Sequence, residues 1–166
     1  MPIRVAIVED DPVLRASMQR IVEREGDLHW KGSYSSAEEF MARTSGLEDL
    51  DVVLMDINLP GITGIACIAE CKPKREQVQY LVSTVFEDNE NIFDALSAGA
   101  TGYLLKSAPP EHVVRAIHDI QAGGSPMSLH IARKLVESVP RKKSNSALLE
   151  SLTKREREVL DQLAGG

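Results

Sequence analysis

Short runs of Val, Ile and Leu alternate along this chain with segments whose apolar residues fall at helical spacing, and that alternation constrains the fold more than any other feature. A strand buried on both faces reads as a continuous apolar run, and joining two parallel neighbours takes a crossover long enough to hold a helix. Repeated strand and helix units therefore predict a parallel sheet covered by helices on both faces. Ile3 to Val8 is the first strand, followed by a helix from Pro12 to Arg24, with Val13, Leu14, Met18, Ile21 and Val22 at helical spacing and Gly26 closing it. A weaker strand, Leu28 to Tyr34, precedes a helix from Ser36, where Ser36 and Glu39 have the spacing of a capping box. Asp51 to Asp56 is the clearest buried strand, followed by a Leu-Pro-Gly turn at 59–61 and a helix to Cys71. Val78 to Thr84 and Gly102 to Leu105 are the fourth and fifth strands, with a helix from Asn89 to Ser97 between them and a last one from Pro110 to Gln121. The fold class is α/β, a doubly wound five-stranded parallel sheet.

A chain of 166 residues supports one such core and a short appendage. After Gly123 and Gly124 the pattern changes: Ser128 to Val139 predicts a short amphipathic helix, and Pro140 to Ser146 is a polar, basic break that reads as a linker. Thr153 and Glu156 mark a further helix start in a segment too short to fold alone. The expected organisation is a domain over 1–123, a linker with a short helix over 124–150, and the opening helix of another unit over 151–166.

The net charge of -6 makes the whole chain a poor nucleic-acid binding surface. The charge is uneven, with 11 basic and 20 acidic residues over 1–125 against 8 and 5 over 126–166, so an acidic body carries a mildly basic tail. No run of 18 apolar residues occurs, and Glu9, Asp10 and Asp11 end the first apolar run too early for a signal peptide, so a cytoplasmic protein is expected. Cys67 and Cys71, four apart on one helix, suit packing better than a disulfide, and His29, His112, His118 and His130 are scattered without ligand spacing. Trp30 is expected at a sheet edge.

In an open parallel sheet, ligands collect at the carboxyl ends of the strands. Glu9 and Asp10 end the first strand, Asp56 the third, Thr84 the fourth, and Lys106 follows the fifth. Any one of these alone is ordinary surface decoration. Together they bring three carboxylates, a hydroxyl and an ammonium to one crevice. An acidic all-oxygen cluster favours a hard cation such as Mg2+, and Lys106 adds a fixed positive charge. Asp56 beside that ion can act as a nucleophile toward a phosphoryl donor, giving an aspartyl phosphate.

Val-Glu-Asp-Asp-Pro (8–12), Leu-Met-Asp-Ile-Asn-Leu-Pro-Gly-Ile-Thr-Gly (54–64), Ser-Thr (83–84) and Ala-Gly-Ala-Thr-Gly-Tyr-Leu-Leu-Lys (98–106) resemble a bacterial response-regulator receiver domain, in the right order at alternate strand ends. The resemblance covers residues 3 to about 123 and implies the receiver, flavodoxin-like fold. It implies Asp56 as phosphoacceptor, Glu9 and Asp10 as the acidic metal pair, a backbone carbonyl from Asn58 to the metal, Thr84 and Lys106 as the phosphate-sensing pair, and Tyr103 as an aromatic switch alternating between inward and outward rotamers. Residues 123–135 and 152–160 resemble the linker helix and first DNA-binding-domain helix of NarL/LuxR-type regulators. That branch implies a sensor histidine kinase as phosphodonor, a phosphorylation-dependent homodimer, and promoter DNA as the target of the full-length protein. The recognition helix of a helix-turn-helix is absent from these residues, so specific DNA binding is not expected of this chain, which reads as part of a longer regulator or a natural truncation.

Two positions depart from the family pattern. Val85 stands where a small residue is usual and is expected to narrow the approach to Asp56; Ser107 stands where Pro is common, so a trans Lys106–Ser107 peptide is expected, a cis bond to a non-proline costing about 2.5 to 4 kcal/mol. Two other readings remain open at this point: a stand-alone receiver that signals by docking to a protein, and a haloacid-dehalogenase-like phosphatase, whose Asp-x-Asp would need an acid where Asn58 stands. The basic run Arg141-Lys142-Lys143 fits either phosphate contact in the full-length protein or a solvated hinge.

Overall fold

A computed structural model describes residues 1–43, 49–138 and 161–163. The strands are β1 (Ile3–Val8), β2 (Leu28–Tyr34), β3 (Val52–Met55), β4 (Gln79–Thr84) and β5 (Gly102–Leu105). The helices are α1 (Pro12–Arg24), α2 (Ala37–Arg43), α3 (Gly64–Cys71), α4 (Asn89–Ala98), α5 (Pro110–Gln121) and α6 (Leu129–Ser138), with a 3-10 turn at Lys72–Lys74. All strand pairs are parallel, in the order β2-β1-β3-β4-β5, as the alternating pattern predicts. Connections run outward from β1 on one side and from β3 on the other, so the chain reverses direction between them. That switch point opens a crevice where β1 and β3 end.

Two apolar layers enclose the sheet. On one face Ile3, Val5 and Ile7 of β1 pack with Val22 of α1 and Val113, Ile117 and Ile120 of α5. On the other, Ala6, Val8 and Met55 pack with Phe40 of α2, Ile68 of α3 and Ile92 of α4. Each fully buried side chain of this size contributes roughly 1.5 to 3 kcal/mol relative to exposure. Both cysteines are free thiols, Cys67 in the core and Cys71 half-buried. Among the described residues no helix is long and apolar enough to cross a membrane.

Strand β2 is weak in sequence for a physical reason. Val5 pairs with Trp30 and Ala6 with Gly32, so Lys31 is an extra residue, a bulge. Leu28 and Trp30 lie on the α1/α5 face, whereas Tyr34, an even number of residues on, is turned to the opposite face against Phe40. Trp30 occupies this edge strand, half-buried.

Local capping explains the helix starts. Asp11 caps α1, accepting from the amides of Val13 at 2.8 Å and Leu14 at 3.2 Å, with Pro12 next in the chain. At α2 the Ser36 hydroxyl accepts from Glu39 N, but the Glu39 carboxylate returns to Ser35 N and Oγ, both at 2.9 Å, one residue earlier than a strict capping box. Strand β3 starts at Val52 because the Asp51 carboxylate turns to Arg4, accepting from its amide, Nε and Nη2 at 2.8 to 2.9 Å.

The expected tail helix is present as α6 and packs on α4. Ile131 is 1% exposed and belongs to the core. The segment leading to α6 pairs with β5, Tyr103 N donating to Pro126 O at 3.0 Å, and His130 faces Glu87 at 3.9 Å. The expected linker at Pro140 to Ser146 lies outside the described residues, as does the expected helix over 151–166 apart from 161–163, which are helical.

Candidate functional site

Four of the sequence-derived candidates meet in the crevice. One carboxylate oxygen from each of Glu9, Asp10 and Asp56 lies within 4.8 Å of the other two. Glu9 and Asp56 are buried, each 3% exposed, and Asp10 faces solvent. Lys106 comes in from the far edge of the sheet and bridges the two buried acids, its Nζ 2.8 Å from Glu9 Oε2 and 3.0 Å from Asp56 Oδ2. The Lys106 backbone is anchored by its amide on Thr84 O at 2.8 Å, so β4 fixes the height at which the ammonium enters.

The electrostatics follow from crowding charge in a dry place. Burial pushes the Glu9 carboxyl above the usual carboxylate range; the Lys106 hydrogen bond opposes the rise and the Asp56 charge adds to it. For Lys106, burial is the largest single influence and lowers its pKa, but hydrogen bonds to Glu9 and Asp56 and their charges together raise it above the ordinary lysine value. The ammonium is therefore a permanent charge at neutral pH. Three oxygen donors carrying more negative charge than one ammonium balances suit a hard divalent cation, so the donor set fits Mg2+.

The other candidates stand around this centre. Thr84 is fully buried at the end of β4, and its Oγ1 accepts weakly from Phe86 N at 3.4 Å. Tyr103 is buried with its hydroxyl donating to Phe86 O at 2.7 Å, so the ring is already inward. Asn58 is exposed, and its amide donates to Asp56 Oδ1 at 3.3 Å. Val85 is 66% exposed. Ser107 sits in an exposed turn, and no cis peptide occurs among the described residues.

Other residues support the site; of these Gly64 reads from sequence as part of the turn and helix entry after Asp56, and Glu38 and Arg15 do not. Gly64 starts α3 so close to the strand end that a Cβ there would lie 1.9 Å from Asp56 O, which is why no side chain fits. Glu38 of α2 accepts from Ile62 N at 2.7 Å and so braces the loop after Asp56. A third group, Arg15, donates from Nη1 to Glu9 O at 2.8 Å and to Asp10 O at 3.4 Å. The available sequence signal was a cation in the first turn of α1, where the helix dipole disfavours positive charge.

Residues 5–118 match the response regulator receiver domain family. The chain is 30% identical over 169 residues to the nitrate/nitrite response regulator protein NarL of Escherichia coli (strain K12), covering 99% of this chain and 76% of that protein. It is 29% identical to the transcriptional regulatory protein LiaR of Bacillus subtilis (strain 168), covering 99% and 77% of the two chains. The crystal structure of a LuxR-family two-component response regulator from Aurantimonas sp. SI85-9A1 superimposes with a TM-score of 0.76 at 30% identity, covering 82% of this chain and 97% of that one.

Proposed function

Because this chain belongs to the response regulator receiver family, in its NarL/LuxR branch, we propose that Asp56 accepts a phosphoryl group from a sensor histidine kinase and that the modified domain controls transcription. The observation that carries the assignment is the buried Asp56 carboxylate held at 3.0 Å by Lys106, with two further acids beside it. An Asp56 carboxylate oxygen attacks phosphorus, the bond from phosphorus to the donor's leaving atom breaks, and the leaving group departs with that electron pair. Glu9, Asp10, Asp56 and the Asn58 carbonyl would hold Mg2+, which supplies positive charge against the phosphoryl oxygens. Lys106 neutralises a further oxygen, and the Thr84 hydroxyl donates to another. These groups act once per phosphorylation and once in self-catalysed hydrolysis, so the chain is a switch and no turnover enzyme.

The signal leaves through the segment after β4. Pulling Thr84 toward a phosphoryl group displaces Phe86, whose carbonyl holds the Tyr103 hydroxyl. Because Tyr103 is already inward, the change begins at that hydrogen bond. It reshapes the α4 and β5 surface on which a phosphorylation-dependent homodimer and promoter binding of the full-length regulator depend. Residues 1–123 form the receiver in this reading, 124–150 the linker, and 151–166 the first helix of a LuxR-type DNA-binding domain. The test is incubation of wild type and Asp56→Asn with acetyl phosphate and Mg2+, followed by intact mass. Wild type gains one phosphoryl mass and the variant gains none; equal incorporation in the two refutes the assignment.

A further inference from the structure

The acidic turn after β1 has a partner on its backbone as well as on its side chains. Glu9 is aimed by direct contacts, its Oε2 on Lys106 at 2.8 Å and its Oε1 accepting from Asp11 N at 3.2 Å. Asp10 is different. Among the described residues none donates a hydrogen bond to its exposed carboxylate, so its reach toward the other two acids depends on where the backbone of the turn carries it. What grips that backbone is the guanidinium of Arg15, through the carbonyls of Glu9 at 2.8 Å and Asp10 at 3.4 Å. The residue after the turn, Asp11, is in turn fixed as the cap of α1. Arg15 closes the loop between helix and turn, from a helical position where a cation is otherwise disfavoured.

We propose that Arg15 is a positioning residue for the cation site: by holding two successive carbonyls from behind, it keeps the turn in the shape that points the Asp10 carboxylate toward Glu9 and Asp56. The inference rests on the Mg2+ reading above and goes beyond it to a residue that touches none of the reacting groups. Its two physical effects have opposite signs. A positive charge near a cation site weakens cation binding by repulsion, whereas fixing a ligand in place strengthens it. Partners that orient metal ligands typically contribute 10- to 100-fold in affinity. Positioning therefore wins, and removing the guanidinium loosens Mg2+ binding in spite of the charge removed.

The test is calorimetric titration of the 166-residue chain with MgCl2 in four forms: wild type, Asp10→Asn, Arg15→Gln and Arg15→Lys. The expected Kd for Mg2+ rises about tenfold or more in Arg15→Gln. It rises less in Arg15→Lys, whose ammonium has several donors and can replace in part the single Nη1 that serves both carbonyls. Circular dichroism verifies the fold of each variant, and a role confined to stability would move the unfolding midpoint and leave the Kd of the folded protein unchanged. A Kd for Arg15→Gln equal to or tighter than wild type, beside a weakened Asp10→Asn, overturns this inference alone. A wild type that binds no Mg2+ overturns the metal reading and this inference with it.

Discussion

Replacing Lys106 by Met keeps the unbranched side chain out to the ε position and removes the one ammonium that Glu9 and Asp56 share. The side chains of Glu9 and Asp56 are 4% and 3% exposed and that of Lys106 15%, so the pair loses its counter-charge in a largely dry place. Breaking a buried ion pair from one side costs about 3 to 5 kcal/mol. The loss has a ceiling, since a carboxyl can escape by taking a proton, which for an ordinary glutamate at pH 7 costs about 3.7 kcal/mol and less for one already raised. Glu9 is raised, so we expect a loss of roughly 3 kcal/mol near neutral pH, or about 6 to 12 °C in Tm for a chain of this size. In wild type, Lys106 has a folded pKa above its unfolded value, so its contribution is complete below the unfolded lysine pKa and is lost only at alkaline pH. In the variant the native state binds a proton that the unfolded state has released, so stability falls as pH rises through the neutral range. The gap between the two proteins should therefore shrink by about 1.4 kcal/mol for each pH unit of acidification until the glutamate of the unfolded chain is protonated as well, at about pH 4.3. Mg2+ replaces the missing charge, and at a concentration a hundred times its Kd it returns about 2.7 kcal/mol. Thermal unfolding at several pH values, with and without Mg2+, reads all three effects. A Lys106→Met protein with the wild-type Tm throughout, indifferent to pH and Mg2+, would show that the crevice is well solvated and that the electrostatic reasoning fails.

Two further outcomes are expected. Gly64→Ala places a Cβ 1.9 Å from Asp56 O and 3.0 Å from Ile57 Cα, both backbone, so the loop has to move; we expect a loss of about 1 to 3 kcal/mol in urea unfolding and slower phosphoryl incorporation by intact mass, and an unchanged rate would mean the close approach is not needed to place Asp56. The Asp51 carboxyl is held below its usual range first by the Arg4 hydrogen bond, so it contributes stability above the unfolded aspartate pKa that is lost as pH falls through the folded one; Asp51→Asn should cost about 1 kcal/mol at pH 7, discounted for the partly exposed Arg4, and should flatten the loss of stability below about pH 4.

The sheet was legible because burial on both faces leaves long apolar runs, as at Val52 to Met55, that few other structures accommodate. The gathering of Glu9, Asp10, Asp56 and Lys106 followed from strand-end positions and the rule that parallel sheets bind ligands there. What escaped reading depends on contacts between segments distant in sequence. The extra residue at Lys31 breaks the alternation of β2 and moves Tyr34 to the opposite face, which a pattern search registers only as weakness. Arg15 and Glu38 act on backbone carbonyls and amides, which carry no residue identity to match. The inward setting of Tyr103 is a rotamer held by the Phe86 carbonyl, and the packing of α6 on α4 requires knowing that Ile131 meets the core.

That packing binds the two ends of the domain in one equilibrium. The stretch from Thr84 to Asp88 holds the Lys106 amide at its start, receives the Tyr103 hydroxyl in the middle, meets His130 of α6 through Glu87, and caps α4 with Asp88 at its end. Any free energy that a ligand in the crevice spent on moving this stretch away from α6 would be spent against the seating of that helix, and thermodynamic reciprocity would make the exchange symmetric. A tenfold loosening of the helix by such a ligand would come with a tenfold tighter hold on the ligand once the helix is loose. In that exchange α6, seated on α4, would act as a competing ligand of the crevice.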